Sequence, residues 1–193
     1  MIRVRIAITM LALLFATPAD AQPLAAAPRS GLEQVRQLYL EAVRSERAIA
    51  RGLAEVERMR AATRDAGLDA TLTAYSGAFT TLRAKHGIWP PDRLRHTRAG
   101  LAVMDSVIAA HPGDAEARYL RLMSCYYLPG LFGRTWSVRD DFAALAGLLP
   151  IVRTRYPAEL YAAITRFVLE KGRPSPEQRG ALEASLQAAR AGG

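Results

Sequence analysis

The sequence predicts an all-α, single-domain protein, on three observations. Apolar residues recur at three- and four-residue intervals almost to the C-terminus, prolines and helix-capping residues punctuate those stretches, and no segment alternates as a strand would. The connections are short, so neighbouring helices are expected to run antiparallel as hairpins, about six to seven helices in all.

The first segment is not expected to belong to the fold. Arg3 and Arg5 form a basic lead, Ile6–Ala16 is a short apolar run, and Ala19-Asp20-Ala21 places small residues where a signal peptidase reads them. Residues 1–21 read as a cleavable signal peptide cut after Ala21, because the run is well short of the roughly 20 residues a membrane-spanning helix needs. The chain is therefore expected to be exported, periplasmic or secreted. Nothing later is apolar for long enough to span a bilayer. Residues 22–30 are Pro/Ala-rich and read as a disordered lead, leaving 31–193 as the helical domain. Export implies an oxidising compartment, yet Cys125 is the only cysteine, so packing and not a disulfide must stabilise the fold.

Leu32, Val35, Leu38, Ala42, Ile49, Leu53 and Val56 mark the first helical stretch, either one long helix or two with a break near Ser45. Leu68, Leu72, Tyr75, Phe79 and Leu82 mark the second, with Gly87 as its C′ residue and Pro90-Pro91 blocking continuation. Leu94, Thr97, Leu101, Met104 and Ile108 mark the third, which Pro112 stops. Asp114 is a good N-cap for the fourth, Glu116 suits the dipole of its first turn, and Pro129-Gly130 ends it. Ser137-x-x-Asp140 resembles a capping box opening a fifth helix that runs to about Leu149. Pro157 at N1 opens a sixth, carrying Leu160, Ile164, Phe167 and Val168 inward to a stop at Gly172. Ser175-Pro176-Glu177-Gln178 combines an N-cap, an N1 proline and a capping-box glutamine at the start of a seventh.

The junction AAHPGDAEA (109–117) is similar to the hinge between successive tetratricopeptide repeats. A wider pattern, AYSGAFTTLRAKHG, then AAHPGDAEARYLRL, then YLPGLFG and an aspartate pair, resembles a group of exported bacterial proteins of unknown function. That resemblance covers roughly residues 70–150. It implies a divergent tetratricopeptide-like helical array and transfers no catalytic residue.

The helix after Asp114 is the most informative stretch. At 100° per residue Asp114, Arg118, Arg121 and Cys125 share one stripe, while Tyr119, Leu120, Leu122, Met123, Tyr126 and Tyr127 cover most of the rest. So apolar a helix belongs in the middle of the array. Its arginines must face solvent, a groove or buried carboxylates. A structural ion-pair network with Asp140 or Asp141 is the first reading, and an arginine-lined groove on the 114–128 helix, serving an unrecognised enzyme or a small-anion binder, is the alternative. Capping is an adequate account of Asp140-Asp141 in sequence terms. Cys125 reads as a packed thiol, since no base stands at a nucleophile's spacing; positive neighbours would lower its pKa.

Net charge is +8, carried almost wholly by arginine and spread along the chain. The densest basic run is 83–98, where Arg83, Lys85, Arg93, Arg95 and Arg98 surround Trp89. Trp89 reads as a plug packing the loop between two helices; exposed among these cations, it would suit an anionic membrane surface. Export disfavours nucleic acid as a partner. Leu131 and Phe132 are partner anchors if exposed, but a loop that ends a buried helix is expected to fold back and close the array. His86, His96 and His111 lack metal-ligand spacing, and His86 and His111 suit helix C-termini for dipole reasons alone. No phosphate loop, G-x-S-x-G elbow, H-E-x-x-H helix or C-x-x-C pair is present. Ser76 lies inside a helical pattern. These readings make the protein non-catalytic and free of cofactor and metal, a binder or adaptor for a protein or peptide in the cell envelope.

Overall fold

A computed structural model describes residues 31–191, with the side chains of Leu131 and Ala191 excepted. The signal peptide, its cleavage point and the 22–30 lead lie outside the described residues. These form α1 (Gly31–Ala42), α2 (Glu46–Ala62), α3 (Ala66–His86), α4 (Pro90–Ala110), α5 (Ala115–Tyr126), α6 (Thr135–Val152), α7 (Ala158–Lys171) and α8 (Pro176–Ala191). Short 3₁₀ turns cover Gly130–Phe132 and Arg153–Arg155. Among the described residues there are eight α-helices and no strand. The count exceeds the expected six to seven because the first apolar stretch divides at Ser45, whose extended backbone (φ −137°, ψ 118°) opens α2.

Two apolar cores share α5. Val35, Ile49, Val56, Leu72, Phe79, Leu101 and Met104 of α1–α4 close over Ala117, Leu120 and Cys125. Leu145, Leu149, Tyr161, Ile164, Val168 and Leu182 of α6–α8 close over Ala115 and Leu122. Each fully buried Leu, Ile or Phe contributes about 1.5–3 kcal/mol of transfer free energy. A helix buried from both sides joins the two halves, as the apolar wheel of 115–127 requires, although Tyr127 at its end turns out to solvent.

α2 and α3 pack along one another. Gly52 of α2 meets the Phe79 ring of α3, and Arg60 bonds Asp69 nearer the turn between them. α3 and α4 cross at close range, because Gly77 and Gly100 let their backbones approach. A Cβ on Gly100 would lie 2.4 Å from the Gly77 carbonyl oxygen and 2.8 Å from the Thr81 nitrogen. Gly100→Ala should therefore push the two helices apart. A destabilisation of about 1–3 kcal/mol in urea unfolding is expected despite alanine's better helix propensity; unchanged stability would show that the crossing yields.

Several boundaries differ from those expected. Gly87 ends α3 with φ −67° and ψ 143°, extended rather than the left-handed conformation of a C′ glycine, because the chain must run straight into Trp89-Pro90. The left-handed residue after α7 is Arg173 (φ 52°), one beyond Gly172. α6 begins at Thr135, three residues early, with Arg134 at the cap and Ser137 buried in its first turn. It also continues through Pro150 to Val152, where losing one backbone bond in the last turns costs little and the chain tightens into the 3₁₀ turn. Pro157 is the N-cap of α7, not N1.

Candidate functional site

Asp114 sets the polar geometry of α5. Its carboxylate accepts from the backbone N–H groups of Glu116 and Ala117 (both 3.0 Å) and from the Thr71 hydroxyl (2.7 Å). One turn on, Arg118 and Arg121 are 8 % and 5 % exposed. Arg121 grips Asp141 in a fork, Nε to Oδ2 at 2.9 Å and Nη2 to Oδ1 at 2.7 Å, and Nη2 also donates to Asp140 (3.1 Å). Arg118 Nη1 donates to Asp140 (3.0 Å) and Asp141 (3.2 Å), while its Nε holds the Pro112 carbonyl at the hinge (2.7 Å). The structure thus brings together the four residues that the sequence paired. Asp140 and Asp141 do not cap α6: the earlier helix start places them in its second turn, aimed sideways at α5.

Two members of this cluster have no counterpart in the sequence reading. Asp105 of α4 accepts from Arg121 Nη1 (3.0 Å) and from Arg134 Nη1 (2.8 Å), closing a group of three arginines and three aspartates. Its position four residues after Leu101, at the edge of the apolar stripe, was the available signal. Charge within the group balances. Asp141 is 0 % exposed. Burial pushes its carboxyl above the ordinary range, against the pull of Arg121 and Arg118. Burial works against Arg121 too, but there Asp141 and then Asp105 outweigh it and hold the guanidinium above its ordinary value. The two directions agree with the geometry, in which the aspartate bears the fuller desolvation and the arginine has more acceptors.

A second buried cluster lies on another face of α5. Glu116 is 3 % exposed and accepts a fork from Arg36 of α1, Nε and Nη2 each at 2.8 Å, plus the Tyr75 hydroxyl of α3 at 2.6 Å. The Tyr156 ring lies 5.9 Å from the Arg36 guanidinium carbon. Burial, reinforced by the Glu116 charge, raises the Tyr75 hydroxyl well above its ordinary value. For Arg36, burial opposes the charge and Glu116 more than offsets it. The helix-dipole role read for Glu116 is therefore the lesser part of its function, because its carboxylate ties α5 to α1 and α3. Among the described residues no buried side-chain nitrogen or oxygen lacks a partner.

Cys125 completes the α5 stripe without becoming reactive. Burial pushes its thiol up to about 11, against the downward pull of Arg134 and Arg121, which Asp141 and Asp105 only partly offset. The thiolate is the nucleophile, and burial disfavours it. Iodoacetamide at pH 8 should leave Cys125 unmodified in the native protein and label it fully in urea, as mass spectrometry would read. Rapid native labelling would contradict this environment.

The basic run differs most from expectation. Trp89 does not plug the loop: it is 64 % exposed, and its neighbour Ile88 is 95 % exposed. Pro90 at the start of α4 holds Trp89 extended, and Arg93 covers the end of α3 instead, its Nε donating to the Ala84 carbonyl (3.0 Å). Lys85 and His86 reach across to the Val43 and Ala42 carbonyls (2.6 and 2.8 Å), satisfying the end of α1. Arg95 pairs only with exposed Asp92 (2.9 Å), a contact worth little. Beside this tip, α3, α4 and the end of α5 enclose an open groove of about 700 Å³. Leu82, Leu94, Met123, Leu128 and half-buried Phe132 line it, with Lys85 and Arg93 as its charged edge. Phe132 thus faces the groove, while the side chain of Leu131 lies outside the described residues. Among the described residues no group of three His, Cys, Asp or Glu is placed to hold a metal, and no helix is long and apolar enough to cross a membrane. Comparisons with protein-family models, curated proteins and solved structures find no match to this chain.

Proposed function

We propose that this is a non-catalytic, exported binding protein of the cell envelope, a divergent tetratricopeptide-like array that captures a protein or peptide segment in the groove beside Trp89. The observation that carries the reading is that groove: an apolar floor with Phe132 in its wall, exposed Tyr127 at its lining and exposed Ile88 and Trp89 next to Pro90 at its edge. Aromatic anchors on a concave apolar surface with a polar rim are the usual energetic centre of a protein interface. The Arg118/Arg121 stripe supports no competing anion or catalytic site, since the donors that would grip an anion are already on Asp105, Asp140 and Asp141. Export rests on the basic lead, apolar run and Ala19-Asp20-Ala21 of the N-terminus.

A photo-crosslinking residue at Phe132 or Leu94 should trap a discrete partner in the cell envelope. The same residue at Ile151, exposed but distant in sequence from the groove, should not. Equal trapping at all three positions, or none, would refute the groove. The mass of the exported protein should begin at Gln22.

One observation favours a second reading. Ile88 and Trp89 project beside exposed Arg83, Lys85, Arg93, Arg95 and Arg98, the composition of a tip that rests on an anionic membrane surface. Binding to anionic vesicles that falls with salt and with Trp89→Ala would support it; binding indifferent to both would dismiss it.

A further inference from the structure

A second cavity, of about 540 Å³, opens on the other side of the Leu128–Pro129 connection, between the first half of α6 and the turn joining α7 to α8. Four cationic residues line it, Arg134, Arg139, Lys171 and Arg173, and no carboxylate does. Arg134 is held by Asp105 at 2.8 Å. Arg139, Lys171 and Arg173 are exposed and have no acid within salt-bridge reach among the described residues, in contrast to the balanced cluster on α5. Three cations without an acid partner line one concavity, which raises its positive potential and favours an anion there.

Arg173 adds an independent sign. It is the only non-glycine residue with positive φ among the described residues (52°). Glycine or asparagine would make that turn at lower cost, yet the residue held there is a cation at the cavity's lining. Val138 and Phe142 add apolar lining, the Phe142 ring lying against Gly172 between two of the cations. A volume in the range of small-molecule sites, lined by cations and by apolar side chains, suits a compact ligand with an anionic and an apolar part. A dianion matches three cations better than a monocarboxylate, and arginine forks match tetrahedral oxyanions.

We propose that this cavity binds a small soluble organic phosphate, with its dianionic head on Arg139, Lys171 and Arg173 and its apolar body against Val138 and Phe142. The site is separate from the groove beside Trp89 and independent of what that groove binds.

Calorimetric titration of the full chain with 1-naphthyl phosphate, inorganic phosphate and 1-naphthol tests the assignment. One saturable site is expected for 1-naphthyl phosphate, at least about tenfold tighter than for either half alone. Arg139→Gln with Arg173→Asn should weaken it by about tenfold or more, asparagine being suited to the left-handed backbone. Lys171→Gln is the second variant, should that pair fail to fold. Arg47→Gln with Arg64→Gln removes the same charge elsewhere on the surface and should leave the affinity within about twofold. The proposal fails if no saturable binding occurs, or if both arginine pairs weaken it equally, which would mean generic attraction to a basic protein. It also fails if phosphatidic acid vesicles bind while no soluble probe does, which would assign the cavity to a lipid headgroup.

Discussion

Asp141→Ala should destabilise the protein by about 3–5 kcal/mol, because it leaves two buried guanidiniums facing an empty position. Asp141 has no exposed surface and takes three of the bonds that neutralise Arg118 and Arg121. Solvent cannot enter to replace it without opening the α5–α6 contact. Since a domain's whole stability is about 5–15 kcal/mol, the loss would be visible as a large fall in urea midpoint. Asp140→Ala should cost far less, about 1 kcal/mol, since that carboxylate is one-third exposed and water can stand in for it. If both replacements cost the same small amount, the cluster does not hold α5 in place.

Glu116→Ala is expected to be nearly as damaging, at about 3–5 kcal/mol, for the same reason on another face of the helix. Arg36 would lose both halves of its fork, and the buried Tyr75 hydroxyl would lose its acceptor. Tyr75→Phe makes the contrast, because it deletes the donor and leaves Arg36 in place to satisfy the carboxylate; about 0.5–1.5 kcal/mol is expected. Hydrogen exchange should show where the Glu116→Ala energy is lost, as faster exchange in α1 ahead of the rest of the molecule. Uniform loss of protection with α1 no worse than α8 would contradict that assignment.

Local chemistry made much of this fold legible in the sequence. Asp114 caps α5 as its position before an apolar run requires. Ser175 and Gln178 form a reciprocal capping box, with bonds of 3.0 and 3.2 Å. The four-and-three spacing of Leu72, Tyr75 and Phe79 returns as one buried face. Arg118 and Arg121 stood out because a nearly apolar helix has few places for a charge, and the nearest acid pair in sequence lay on the next helix.

What escaped the reading depends on contacts that no local pattern encodes. Glu116 satisfies every rule for a first-turn acid, and nothing near it in sequence points to Arg36, eighty residues earlier. Asp105 and Arg134 join the cluster through the crossing of α4 with α5. Trp89 departs from expectation because a large aromatic between two helices is ordinarily buried, whereas here Pro90 holds it extended and Arg93 covers the end of α3. The Ser137-x-x-Asp140 pattern has capping-box spacing, but Asp140 and its neighbour are drawn to the arginines and the helix starts earlier. Tertiary electrostatics overrode a local signal of smaller energy.

The central claim is that the α5 arginines clamp the two halves of the molecule together and bind nothing else. A double-mutant cycle of Arg121→Gln and Asp141→Asn, read by urea unfolding, tests it most directly. A clamp predicts a coupling of about 1–3 kcal/mol, with the double variant clearly more stable than the two single losses would sum to. Single losses that add to within about 0.5 kcal/mol would contradict the clamp and return the arginines to the list of candidate ligand-binding residues.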